Sequence, residues 1–271
     1  MYHGQPCHAI KKLISMKTCK TVIALAAVIS FTACKKEFTQ SSSINASTQN
    51  DVAENSRKSC PEIDPSDFVK EVTNPYFPLR PGTKYYYINR IVEGKEVTIE
   101  HDVVTVTSKT KMILGVPCTV VHDEVKVDGS VTEDTYDWYA QDKHGNVWYF
   151  GESTREREDT GWSTEGSWQA GVDGACEGII MWAHPENHIA EVYYQEYLKG
   201  EAEDQAEVIN TNTTVKVPLR TFHNCLDTKE FSRLEPSVVS HKFYAKGIGE
   251  IKEVQTRGGT EVDELISVTH H

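Results

Sequence analysis

Residues 137–152 constrain the fold more than any other stretch of the chain. Asp137-Trp138-Tyr139-Ala140-Gln141 runs into Asp142-Lys143-His144-Gly145 and out again through Asn146-Val147-Trp148-Tyr149-Phe150-Gly151-Glu152. Aromatic and β-branched residues fit a pleated surface, and aspartate at the first turn position with glycine at the fourth fits a type I turn closed by a left-handed residue. The two flanks are therefore expected to pair antiparallel. A second hairpin precedes this one. Val121, Asp123, Val125 and Val127 alternate with His122, Glu124 and Lys126, and Asp128-Gly129 makes a two-residue turn into 131–141. From Lys84 onward no segment keeps a helical period for long, and further runs at 192–197, 206–209, 215–226, 238–245, 249–254 and 262–268 extend the sheet. The expectation is all-β: a single antiparallel domain of about ten to twelve strands in a barrel, half-barrel or sandwich.

One stretch breaks this rhythm. Residues 155–190 hold Gly161, Gly166, Gly171, Gly174 and Gly178 among Trp162, Trp168 and Trp182, without regular alternation. A long irregular insertion in a compact domain is often functional, although a lid over one end of a barrel has the same composition. Glycines let backbone approach a ligand, and tryptophans offer large rigid contact surfaces. The expected ligand site is therefore Trp162, Trp168, Asp173, Trp182 and His184, closing over the sheet near Trp138 and Trp148 of the 137–152 hairpin. Tryptophan in a hairpin also serves as core.

The start of the chain determines the compartment. Residues 17–20 are basic, 21–33 (TVIALAAVISFTA) are uncharged and apolar, and Phe31-Thr32-Ala33 places small residues before Cys34. This is the anatomy of a signal peptide, and its 13 apolar residues fall short of the ~20 that a helix needs to cross a bilayer. Met16 opens a better-formed signal than Met1 and is the expected start. Removal of 1–33 takes away four lysines and no acid, so 28 basic and 40 acidic residues become 24 and 40, a formal charge of −16. So acidic a chain is a poor partner for nucleic acid. Residues 35–58 are rich in Ser, Asn, Thr and Gln and read as a tether, with 34–67 lipidated and disordered and 68–271 forming the β domain. Cys60, Cys118, Cys176 and Cys225 then stand in an oxidising compartment, where four cysteines allow three full pairings and none forms a Cys-x-x-Cys pair.

The stretch Phe31-Thr32-Ala33-Cys34-Lys35-Lys36-Glu37 resembles the lipobox of Bacteroidetes-type lipoproteins, with Phe31 where leucine is usual. That resemblance implies a diacylglyceryl thioether on Cys34, membrane attachment through it, and a place in the cell envelope at the outer membrane or cell surface. Residues 74–79, 110–116, 137–152, 165–174 and 217–222 are similar to a TapB-like family of exported bacterial β proteins. The similarity spans most of 72–268 and implies an all-β fold, possessing no catalytic residues that can be carried over.

Catalytic signatures are weak. His184-Pro185-Glu186-Asn187-His188 has two histidines four apart but lacks the zincin order, so no metal is expected. Ser167 in Gly166-Ser167-Trp168-Gln169-Ala170-Gly171 is not in a nucleophile elbow, and Gly247-Ile248-Gly249 lacks a third glycine, so no cofactor is implied. His101-Asp102 and His122-Asp123-Glu124 lie in strands where neighbours face opposite ways, and they read as surface positions. A β-bulge at Asp102 would explain the valines changing face there. Asp134, Asp137, Glu152, Glu165, Asp173, Glu203 and Asp204 lie near aromatic or glycine-rich stretches and keep a carboxylate hydrolase open as the alternative. The leading expectation is a lipid-anchored protein binding a small apolar or saccharide ligand; an envelope protein with no ligand is the third class.

Overall fold

The alternation read at 121–142 is realised as paired strands, and the same pairing runs around the whole domain. The computed structural model describes residues 60–270. The expected signal peptide, the lipid site at Cys34 and the tether as far as 59 lie outside the described residues. A 3-10 turn (Pro65–Asp67) and the short β1 (Phe68–Val69) lead to the long strands β2 (Thr83–Glu93), β3 (Glu96–Ile113), β4 (Val116–Val127), β5 (Ser130–Asp142) and β6 (Val147–Glu158). Short strands follow: β7 (Gly161–Ser163), β8 (Trp168–Gln169), β9 (Cys176–Met181), a 3-10 turn (Pro185–Asn187), β10 (Val192–Tyr194) and β11 (Glu196–Tyr197). The chain ends on β12 (Asp204–Lys216), β13 (Thr221–Ser232), β14 (Val239–Ala245), β15 (Gly249–Arg257) and β16 (Val262–His270).

Both expected hairpins form. Asp128 and Gly129 take φ of 49° and 78°, the two left-handed residues of a tight turn between β4 and β5. Between β5 and β6, Gly145 takes φ of 92° and donates its N–H to the Asp142 carbonyl, while the Asp142 carboxylate accepts from the His144 and Asn146 amides. The strand order is β10-β12-β13-β14-β15-β16-β2-β3-β4-β5-β6-β9-β11. One extended stretch, 192–197, supplies both ends of that path: its first half pairs β12 and its second half pairs β9. Between the two, the Gln195 N–H reaches the Asp204 carbonyl at 2.8 Å. Thirteen strands with β10 and β11 on one stave make twelve staves, a nearly closed antiparallel barrel.

Eight staves enclose only what their own side chains can fill, so a barrel of this size needs either a stopper or a cavity. It has both. The segment before β2 caps the end carrying the β5–β6 and β14–β15 turns. Asn74 donates to the carbonyls of Gly145 and Trp182, the Gly247 N–H reaches Pro75, and Val72, Tyr76 and Leu79 are buried there with Ile113, Val116, Trp138 and Met181. Ile63 also packs on this core, and the Asp67 carbonyl accepts from the Lys143 amide, so chain contacts begin upstream of Phe68.

Four expectations need correction. Residues 155–190 are not one irregular insertion: β6 runs on to Glu158, and β7, β8 and β9 all pair with it. The glycines that disguised this serve turns, with Gly161, Gly166, Gly171 and Gly174 all at positive φ. The run 215–226 is two strands, because Pro218 has no N–H for a ladder and a turn closes from Val217 N–H to the Arg220 carbonyl. No bulge lies at Asp102, where β2 and β3 pair in unbroken register; the shift in β3 falls between Val106 and Thr110. Asp102 and Asp123 are not surface positions, as both are buried. Of the cysteines left open, Cys60 and Cys176 are disulfide-bonded, while Cys118 and Cys225 are buried free thiols.

Candidate functional site

Alternation places one residue in two on the inner wall, and registers identify which. Tyr87 of β2 lies opposite Asp102 of β3, Val104 opposite Asp123 of β4, Val121 opposite Asp137 of β5, and Asp137 opposite Glu152 of β6. On the far side Lys242 of β14 faces Glu253 of β15, which faces Asp263 of β16, which faces Asn89 of β2. Directly paired antiparallel residues share a face, so these form a polar belt around the interior. The outer wall carries the ion pairs Lys126–Glu124, Lys229–Glu207 (3.0 Å) and Lys252–Glu264 (2.7 Å).

The interior holds a cavity of ≈ 120 Å³. Phe77, Pro78 and Leu79 of the stopper, with Ile248, form its apolar end. Tyr85, Tyr87, Tyr139, Tyr149 and Tyr244 give it aromatic walls. Asp102, Asp123, Asp137, Glu196, Asp204, Glu230, Glu250 and Asp263 share the rest with Val104, Val106, Val121, Ile180, Phe231 and Gln195, and Lys242 is the one lysine or arginine among the lining residues.

The polar lining is held in place. The Tyr149 hydroxyl donates to Asp137 at 2.6 Å, and its ring stacks on Tyr139 with centroids 4.8 Å apart. The Tyr87 hydroxyl donates to the Glu250 carbonyl at 3.0 Å. Glu230 accepts from Gln195 (3.2 Å), Thr228 (3.2 Å) and Tyr244 (3.4 Å), and its other oxygen lies 3.2 Å from the Lys242 ammonium. Lys242 stands 3.7 Å from Glu253 and 3.9 Å from Glu250. Burial alone would lower the Lys242 pKa, but the surrounding Glu230, Glu253 and Glu250 raise it well above its ordinary value. Burial pushes the Glu250 carboxyl up to about 8; Lys242 opposes that shift, and Glu253, Glu230 and Asp263 add to it. Burial, with Asp137 and Glu152 nearby, also raises the phenols of Tyr139 and Tyr149.

No family model and no curated protein matches the chain. Solved structures do. One is that of a candidate exported protein with a YmcC-like fold from Bacteroides fragilis, at 14% identity over 72% of this chain and 98% of that one, with a TM-score of 0.43. Another is that of a candidate lipoprotein from Parabacteroides distasonis, at 11% identity over 74% of this chain and all of that one, with a TM-score of 0.41.

None of the seven residues expected at a ligand site lines the cavity. Trp168 is 5% exposed and meets Tyr149 of the cavity wall edge-on at 5.2 Å. Trp138 is buried beneath Lys111, and Trp148 donates to the Asp142 carboxylate that shapes its own turn. Trp162 is 42% exposed on the outer face beside Arg155 and Arg157, and Asp173 is exposed at a turn with φ of 51°. Trp182 stacks on His188, which is paired with Glu191 at 2.7 Å, and His184 is exposed beside Glu186. Ser167 is committed to structure: its hydroxyl donates to the Thr154 carbonyl and accepts from the Thr154 amide.

The cavity was partly legible. Of the seven acids noted in the sequence, Asp137 and Asp204 reach its wall and Glu152 is buried beside Asp137 across the ladder. Asp102 and Asp123 were missed, yet the signal was present, since Asp123 shares the parity of Val121 and Val125 and so belongs to their face.

Proposed function

We propose that this chain is an exported, lipid-anchored protein of the cell envelope that binds a small ligand inside its barrel and does no chemistry on it. The single observation carrying the binding half is the interior cavity, whose stopper, tyrosine walls and carboxylates give it one apolar end and a polar body. Pockets that combine an apolar surface with a few fixed polar groups are the usual ligand sites. A hydrocarbon ligand fits poorly, because it would strip water from buried carboxyl groups and return no hydrogen bonds. The anchoring half rests on the lipobox-like residues before Cys34, since the two or three acyl chains of a lipoprotein exceed the marginal hold of one.

Native mass spectrometry of the full-length protein, purified in detergent, tests the binding half. A co-purifying mass released on unfolding supports it. Turnover in a panel of glycans would replace it with the carboxylate-hydrolase alternative. Cys34→Ala tests the anchor: the protein is expected to leave the membrane fraction, and unchanged membrane association would exclude the lipid.

A further inference from the structure

Resting on the ligand-binding reading above, we infer that the ligand is an organic cation, an amine whose ammonium N–H groups dock on the polar belt while its carbon body lies against the tyrosine wall. Two orphaned acceptors lie on the same inner belt. Asn89 is fully buried; its amide NH2 donates to Glu100 at 2.8 Å and Glu261 at 2.5 Å, which leaves the amide oxygen without a partner. Ser240 is equally buried, and its hydroxyl is unpartnered. Neither residue lines the cavity itself, but register sets each on the inner face beside an acid that does, Asn89 opposite Asp263 and Ser240 opposite Glu230. A buried acceptor left unmade destabilises the fold, so two on one belt call for a donor to satisfy them.

The charge balance selects the same class. Lys242 brings one ammonium to Glu230, Glu250 and Glu253, and the Glu250 carboxyl sits 3.9 Å from it, beyond a hydrogen bond. The lining as a whole sets eight carboxyl groups against this one ammonium. A saccharide offers hydroxyls that donate and accept in equal measure and brings no charge. A metal ion needs several ligands converging on one point, and among the described residues no three His, Cys, Asp or Glu side chains converge in that way. Amine N–H groups on an extended body instead match acceptors spread around a belt, and the lining tyrosines Tyr85, Tyr87 and Tyr139 supply aromatic rings of the kind that attract a cation.

The test is calorimetric titration of the full-length protein with spermidine in 150 mM NaCl, which suppresses diffuse attraction to an acidic surface. Saturable one-to-one binding is expected, weakened at least tenfold by Glu250→Gln and by Glu230→Gln. Glu96→Gln, which makes the same replacement at the exposed start of β3, should leave it unchanged. Glu250→Gln also replaces a carboxyl that the fold keeps from ionising, so it is the variant expected to remain folded if Glu230→Gln does not. Absence of saturable binding, or equal weakening by Glu96→Gln, overturns the inference. If spermidine fails while a neutral molecule co-purifies in the cavity, only the ligand class is wrong; if nothing binds or co-purifies, the binding reading falls with it.

Discussion

Glu250 concentrates the electrostatic cost of the interior. Its carboxyl is pushed up to about 8 by burial, and the groups facing it are Lys242, Glu253, Glu230 and Asp263. An acid whose folded pKa exceeds its unfolded value of 4.5 binds its proton more tightly in the fold. Its contribution to stability is therefore complete below pH 4.5 and is lost as the pH rises to about 8. Glu250→Gln keeps the shape and removes the titration. The variant is expected to flatten the loss of unfolding free energy between pH 5 and 8 and to gain on the order of 2 kcal/mol at pH 8, discounted from the full linkage for partial solvent contact. Parallel pH profiles of parent and variant in urea titrations would contradict this.

At the scale of elements, the closing stretch 192–197 and the short strands on β6 decide whether the barrel holds. Gly178 of β9 lets that stretch in: a Cβ there would stand 2.4 Å from the Gln195 carbonyl group and 2.6 Å from the Tyr194 oxygen. Backbone cannot yield as a flexible side chain does, so Gly178→Ala is expected to part β9 from the stretch that closes the ring. The loss should reach about 2–4 kcal/mol in chemical denaturation, a size reserved for overpacking at a buried contact; a change within 0.5 kcal/mol would contradict the closure. Trp168 of β8 is buried against Tyr149. Trp168→Ala should therefore cost about 3–5 kcal/mol of stability, the behaviour of a core aromatic. Intact stability with weakened ligand binding would return the site to the glycine-rich strands. The hairpins were legible because Asp128-Gly129 and Asp142 to Gly145 fix turn geometry locally. The strands β7, β8 and β9 were not, because five glycines erase alternation and their pairing with β6 is set by tertiary contact.

For the molecule as a whole, the inner wall is the less expected one: acids and tyrosines line it, interspersed with valines such as Val104 and Val121. Twelve staves enclose more space than side chains fill, and a sequence shows which residues alternate but not how many staves close. The same alternation that put Asp102 and Asp123 on the valine face would read as surface in an open sheet and becomes interior only once 192–197 joins β9 to β12. On the proposed reading the ligand lies inside. Val104 lines the cavity without being fully enclosed, so Val104→Trp should fill that space, whereas Trp162→Ala alters only the outer face. Native mass spectra of these two full-length variants, recorded beside the parent, give the most direct test. Val104→Trp is expected to lose the co-purifying mass while Trp162→Ala keeps it; retention by the first and loss by the second would place the site outside the barrel.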